Sequence, residues 1–262
     1  MNTTFLPMEG YQLYVKELVS DWAKTDLATV VFLHDSWGCV DMWGDFAKKL
    51  STTVGINALL YDRRGYGKSS GFTVDKRTDQ YLHDEAHELI RIIDAYNINN
   101  AVIYGHSDGA TIALIAAALY PSRIKGLILE GPHSFIEDSG KLAVLATCER
   151  AKENNLLVSL EKYHGNKTVE LFRLWHETWL SDLFSSWTIV PVLNRIKCLV
   201  LAFQGEHDEF GTIEQLNVLK REISTEVTIV EIANAAHTPH KEAEAETMAL
   251  LNDWLKRTAW LT

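Results

Sequence analysis

Gly105-His106-Ser107-Asp108-Gly109 fits the pattern G-x-S-x-G, with a serine hydroxyl between two glycines. It lies directly after an apolar run, 101–105, and directly before a helix-forming run that opens at Ala110. A nucleophile on so tight a strand-to-helix turn is held in a strained backbone conformation, and side chains at the glycine positions would clash. The helix start beneath it favours negative charge developing on a substrate oxygen. A serine hydroxyl is a poor nucleophile until a base takes its proton, so this chemistry requires a histidine and an acid to orient it. Both occur downstream, each just past an apolar run: Asp208 in Gln204-Gly205-Glu206-His207-Asp208 after 198–203, and His237 in Ala235-Ala236-His237 after 227–232.

Other residues compete for these roles. Glu206 and Glu209 flank Asp208, and His240 follows His237 by three residues, beyond Pro239. His133, after Gly131-Pro132, either lines a pocket mouth or is structural. His83 and His87 stand at i and i+4 on a helix, as a zinc pair would. Glu does not directly follow His83 and no third ligand is evident, so no metal is expected.

The elements that position these residues follow from hydrophobic patterning. Runs rich in Val, Ile and Leu at 28–34, 56–61, 101–105, 126–130, 198–203 and 227–232 read as buried parallel strands. Helix-length amphipathic segments such as 79–96 and 110–120 separate most of them, which implies right-handed crossovers over a parallel sheet. The weaker run 11–19 is expected as an antiparallel strand at the edge. In such sheets, sites form at strand C-termini, where Ser107, Asp208 and His237 all fall.

About 65 residues separate the fourth and fifth of these runs, too many for an unstructured loop. Residues 141–162 and 168–184 have helical spacing, so 133–197 reads as a helical cap inserted into a core formed by 1–132 and 198–262. Within it Phe172, Trp175, His176 and Trp179 fall at i, i+3, i+4 and i+7 and share one helical face, expected with His133 to contact substrate.

Composition bounds the function classes. The 262 residues are 47% hydrophobic and 23% charged, ordinary for a globular chain with a large core. A net charge of −10 gives no broad attraction for nucleic acid or anionic lipid, so neither is expected as a partner. Residues 1–19 show no basic run followed by an apolar stretch, and a soluble cytoplasmic protein is expected. Cys39, Cys148 and Cys198 have no CxxC spacing and read as reduced thiols.

Two further motifs join these. His34-Asp35-Ser36-Trp37-Gly38 is similar to an HGxxG oxyanion loop, and Asp62-Arg63-Arg64-Gly65-Tyr66-Gly67-Lys68-Ser69 to a DxRGxGxS turn. With Ser107, Asp208 and His237 in that chain order, the sequence resembles the α/β-hydrolase superfamily over nearly its whole length. The resemblance implies a mostly parallel central sheet with helices on both faces, and a Gly-x-x-Asp turn that selects Asp208. It also implies backbone N–H groups of Ser36 and Asp108 as oxyanion donors. Asp35 replaces the family's usual glycine, restricting the backbone there and adding a carboxylate that would repel an oxyanion unless turned away or paired. The resemblance implies a serine hydrolase without cofactor but does not decide among esters, thioesters, amides and carbon–carbon bonds. A small carboxylic ester is the first expectation, mainly apolar if the 172–179 face lines the pocket, with activity rising as His237 loses its proton at about 6 to 8. The other readings are a carbon–carbon hydrolase of dienoic ring-cleavage products and a slow-turnover ligand receptor on the same scaffold.

Overall fold

The computed structural model describes residues 1–19, 28–153 and 155–257. Eight strands, β1 (Asn2–Met8), β2 (Tyr11–Leu18), β3 (Thr29–Leu33), β4 (Asn57–Tyr61), β5 (Ala101–His106), β6 (Ile124–Glu130), β7 (Leu199–Gly205) and β8 (Val227–Ile232), form one sheet in the order β1-β2-β4-β3-β5-β6-β7-β8. The six strands from β3 onward run parallel, while β2 is antiparallel to both β1 and β4. The expected six strands are therefore present, but β2 is not the edge. That place belongs to β1, a largely exposed strand whose apolar pattern is faint and whose Pro7 is tolerated because an edge strand has an unpaired side.

Alternation along the strands sorts the core into two layers. Val31, Leu33 and Ile103 face α2 (Tyr81–Ala95) and α3 (Asp108–Leu119), whereas Val30, Phe32, Val102 and Tyr104 face α1 (Phe46–Val54) and the C-terminal helix Glu244–Arg257. Residues 108–118 of α3 are all buried, which explains why its sequence is apolar on every side.

Between β6 and β7 lie α4 (Asp138–Glu153), α5 (Leu156–His164) and α6 (Thr168–Trp179) and, among the described residues, no strand. The stretch 141–162 is thus two helices, with Asn155 at the start of the second. The stretch 168–184 ends as an α-helix at Trp179, where Ser181 accepts from Phe184 N and starts a separate 3₁₀ turn. A bridge between Phe135 and Thr188 draws the two ends of the insertion together, and the turn Val190–Arg195 returns to pack against α3. Among the described residues no helix is long and apolar enough to cross a membrane, and the three cysteines are unbridged.

Candidate active site

Parallel register sets the C-termini of the central strands side by side: Leu33 pairs Gly105, His106 pairs Glu130, Glu130 pairs Phe203, and Gly205 pairs Ile232. The residues that follow these ends therefore share one edge of the sheet. Ser107 sits there at φ 55°, ψ −118°, a positive φ that a non-glycine adopts only under constraint, and its N–H is fixed to Glu130 O at 2.9 Å. A Cβ on Gly105 would run into Gly109 O, and one on Gly109 into Leu33 O, so both glycines are required by close backbone approach. The first turn of α3 begins at Asp108, whose N–H has no acceptor within the helix.

Asp208 and His237 meet as a pair. His237 Nδ1 donates to Asp208 at 2.8 and 2.9 Å from its two oxygens, and Asp208 Oδ1 also accepts from Phe210 N at 2.9 Å. With Nδ1 carrying the proton, Nε2 is the basic nitrogen. His237 and Ser107 line the same cavity, of about 240 Å³. Of the competing acids, Glu206 is exposed and accepts instead from Asn234 N, while Glu209 is exposed at the cavity rim.

The electrostatics of the pair differ from the sequence expectation. Burial alone would lower the His237 pKa, but the charge and hydrogen bond of Asp208, with Glu209 and Asp35 nearby, raise it to about 9 rather than 6 to 8. Burial likewise would raise Asp208, yet His237 holds it below the usual carboxylate range. A base works unprotonated, so raising its pKa moves the onset of activity to higher pH. The ascending limb of kcat/KM against pH is expected near 9, and Asp35→Asn and Glu209→Gln should each shift it downward. A limb that neither variant moves would belong to another group.

Ser36 is buried and, with Asp108, lines the cavity. Asp35 is not among the described residues with positive φ, so its side chain costs the loop no left-handed strain. Its carboxylate folds against Gly38, where a Cβ would collide with it. Burial would raise its pKa, but His106, Lys241, His34 and His237 together hold it below the usual range, so Asp35 is an ionised cavity residue with cationic and imidazole neighbours. The 62–69 turn braces this loop. Asp62 accepts from Val40 N and Lys68 N at 2.6 and 2.7 Å, and fully buried Arg63 donates to Asp35 O at 2.8 Å. From the insertion, His164 donates to Trp37 O at 2.7 Å and accepts from Gly67 N at 2.9 Å, while Lys167 donates to the carbonyls of Gly67 and Ser69.

A second carboxylate–imidazole pair lies just behind. Glu130, fully buried at the end of β6, accepts from Tyr104 OH at 2.7 Å, His240 N at 2.8 Å and His240 Nδ1 at 2.9 Å. Burial would push Glu130 upward, but His240 and His106 outweigh it and bring it to about 2. His240 is thus committed to Glu130 and does not line the cavity. His106 Nε2 donates to His237 O at 2.8 Å, and burial lowers its pKa to about 4, which keeps it neutral. The loop carrying His237 is held at both ends. In the sequence this brace leaves only a glutamate closing the apolar run 126–130, with nothing beside it to point to His240.

Of the residues expected at the substrate, His133, Trp175 and Trp179 line the cavity. Phe172 and His176 do not: Phe172 packs on Trp37, and His176 Nδ1 bonds Phe172 O at 2.7 Å. At 100° per residue Trp175 and Trp179 form one edge of the shared stripe and Phe172 and His176 the other, and the cavity reaches only the first. His83 and His87 lie on α2, where His87 Nδ1 meets Tyr120 OH at 2.6 Å.

A family profile described as serine aminopeptidase, S33, matches residues 25–244. The serine hydrolase BPHL of Homo sapiens is 28% identical over 169 residues, covering 62% of this chain and 55% of that protein. The 2-succinyl-6-hydroxy-2,4-cyclohexadiene-1-carboxylate synthase of Escherichia coli is 28% identical over 120 residues, 46% of this chain and 44% of that one. The chain spans about half the length of these two curated relatives and 27% of epoxide hydrolase B of Mycobacterium tuberculosis. Among solved structures, a putative lipase of Acinetobacter baumannii superposes with a TM-score of 0.80 at 21% identity, covering 98% of this chain and 91% of that one. Proline iminopeptidase of Mycobacterium smegmatis gives 0.74 at 16% identity, covering 98% of both. With the family profile matching most of the chain and the sheet in this strand order, the protein belongs to the serine aminopeptidase S33 family on the α/β-hydrolase fold.

Proposed function

We propose that this protein hydrolyses small, mainly apolar carboxylic esters through an acyl-enzyme on Ser107. The observation that carries the reading is that Ser107, on its strained turn, and His237, bonded behind to Asp208, line one cavity. His237 Nε2 takes the Ser107 proton as Oγ attacks the carbonyl, and Asp208 holds the imidazole tautomer. The N–H groups of Asp108 and Ser36 receive the oxyanion, and His237 returns the proton to the leaving alcohol. Water, activated by the same imidazole, then releases the acid. The helical insertion acts as a cap over the strand ends. The cavity volume falls below the range of about 300–1,000 Å³ typical of drug-sized ligands, which favours a small substrate. Trp175 and Trp179 in its wall favour an apolar one.

The test is a panel of esters, thioesters, amides and ring-cleavage dienoates assayed with wild type and Ser107→Ala. Ester turnover that Ser107→Ala abolishes supports the reading; preference for a dienoate would replace it with carbon–carbon hydrolysis. Trp179, packed against His133, Phe184 and Trp187, sets the size of the wall. Trp179→Ala should move the preferred acyl chain to longer lengths, changing relative kcat/KM by about tenfold or more. If the profile stays as in wild type while thermal stability alone falls, Trp179 is packing and not specificity.

A further inference from the structure

The oxyanion donor at Ser36 belongs to the Asp35–Ser36 peptide. A trans peptide is planar, with its C=O and N–H pointing in opposite directions, so whatever holds Asp35 O also aims Ser36 N–H. Three groups converge on that oxygen: Arg63 Nη2 at 2.8 Å, His34 Nδ1 at 2.8 Å and Gly38 N at 3.3 Å. The strongest is the guanidinium, a fixed charge with no exposure to solvent. The same Nη2 stands 4.0 Å from Asp108 Oδ2, on the residue that supplies the second oxyanion donor. Arg63 also lies over the Tyr66 ring at 4.4 Å and 3.9 Å from Glu85, and its own backbone N–H donates to His34 Nε2 at 3.1 Å. Among the described residues its Nε and Nη1 make no hydrogen bond, so the side chain is held chiefly through Nη2, the ion pair of Nη1 with Glu85 and the Tyr66 ring.

Resting on the ester-hydrolase reading above, we infer that Arg63 is a positioning residue for the oxyanion hole: it clamps the peptide that carries the Ser36 donor and braces Asp108 beside it. It touches neither substrate nor Ser107. Besides orientation, a cation on Asp35 O polarises the peptide and makes Ser36 N–H the stronger donor, because hydrogen bonds in series reinforce one another at low dielectric. The loop itself does not depend on Arg63 alone. Trp37 O is held by His164, and the Trp37 ring packs on Trp175 at 4.4 Å, so removing the guanidinium loosens the donor peptide while the loop stays anchored.

The oxyanion interaction is made in the transition state, and its loss lowers kcat without a matching change in KM. Arg63→Met is expected to reduce kcat by about 10²-fold, the cost of one mispositioned donor, with KM within about threefold. Affinity for a trifluoromethyl ketone, which adds to the serine and places its oxygen in the hole, should fall in parallel, while affinity for the acid product should not. Arg63→Lys keeps the charge with a single donor head, and should recover about tenfold of the loss. If Arg63→Met does not fold, as shown by its thermal melt, Arg63→Lys carries the test alone, with about a tenfold loss of kcat and of ketone affinity at unchanged KM. A folded Arg63 variant with wild-type kcat and ketone affinity overturns the inference, as does one whose losses follow melting temperature and KM alone. A wild-type protein that neither hydrolyses esters nor reacts at Ser107 overturns the ester-hydrolase reading and this inference together. An active wild type with an indifferent Arg63 overturns only the inference.

Discussion

Ser107→Ala is expected to reduce ester turnover by about 10⁴-fold to 10⁶-fold while leaving the fold intact. The size follows from what is removed, since without the hydroxyl no acyl-enzyme forms and only uncatalysed attack by water in the same cavity remains. The fold should persist for three local reasons. Ser107 N–H stays bonded to Glu130 O, the glycines that permit the close approach are untouched, and alanine at φ 55° bears the same strain as the serine it replaces. A fluorophosphonate should label wild type at Ser107 and leave the variant unlabelled, with the site read by peptide mass. Covalent labelling at another residue, or turnover that survives the substitution, would remove Ser107 from the mechanism.

The position of Ser107 was legible because its constraints are local. The glycines, the preceding apolar run and the following helix all lie within a few residues, so spacing alone placed the serine at a strand end. Asp208 and His237 were legible for a related reason, as each follows a buried strand whose composition marks it, and parallel register brings such ends together. Long-range polar contacts were not legible. Glu130 and His240 are 110 residues apart, and nothing near either one announces that they pair at 2.9 Å. The role of Arg63 was hidden in the same way, because its partner is a backbone carbonyl and any residue at position 35 would provide one.

The insertion shows where periodicity stops being informative. Four residues at helical spacing define a face, but a face is wider than the strip of cavity it meets, so Trp175 and Trp179 reach the wall and Phe172 and His176 turn to Trp37 and to each other. β1 escaped because an exposed edge strand buries little and so carries little pattern. Asp35 stands where the resembling family has glycine, and its carboxylate would repel an oxyanion unless turned away or paired. The structure shows why position 35 does not demand glycine: its φ is not positive, and the close contact that excludes a side chain falls at Gly38 instead.

Asp208→Asn is expected to lower kcat by about 10⁴-fold, and Glu206→Gln to leave it within about twofold. Asparagine is nearly the shape of aspartate, and its Oδ1 can still accept from Phe210 N, so the turn should survive. The amide then presents its NH₂ to the imidazole. Facing a donor, Nδ1 must become the acceptor and Nε2 must carry the proton, which leaves the nitrogen on the cavity side unable to take one from Ser107. A second, independent change accompanies this. Asp208 is the largest of the influences that raise His237 to about 9, so without its charge the burial effect prevails, and the ascending pH limb of the residual activity should move well below 9. Rate loss and limb shift together identify the partner of His237, because damage to folding would produce the first without the second. Glu206 is the control: exposed, and bonded to Asn234 N at 3.2 Å rather than to any imidazole, it can be neutralised without touching the tautomer. Should Glu206→Gln prove the more damaging of the two, or should the Asp208→Asn limb stay near 9, the acid of this site is not Asp208.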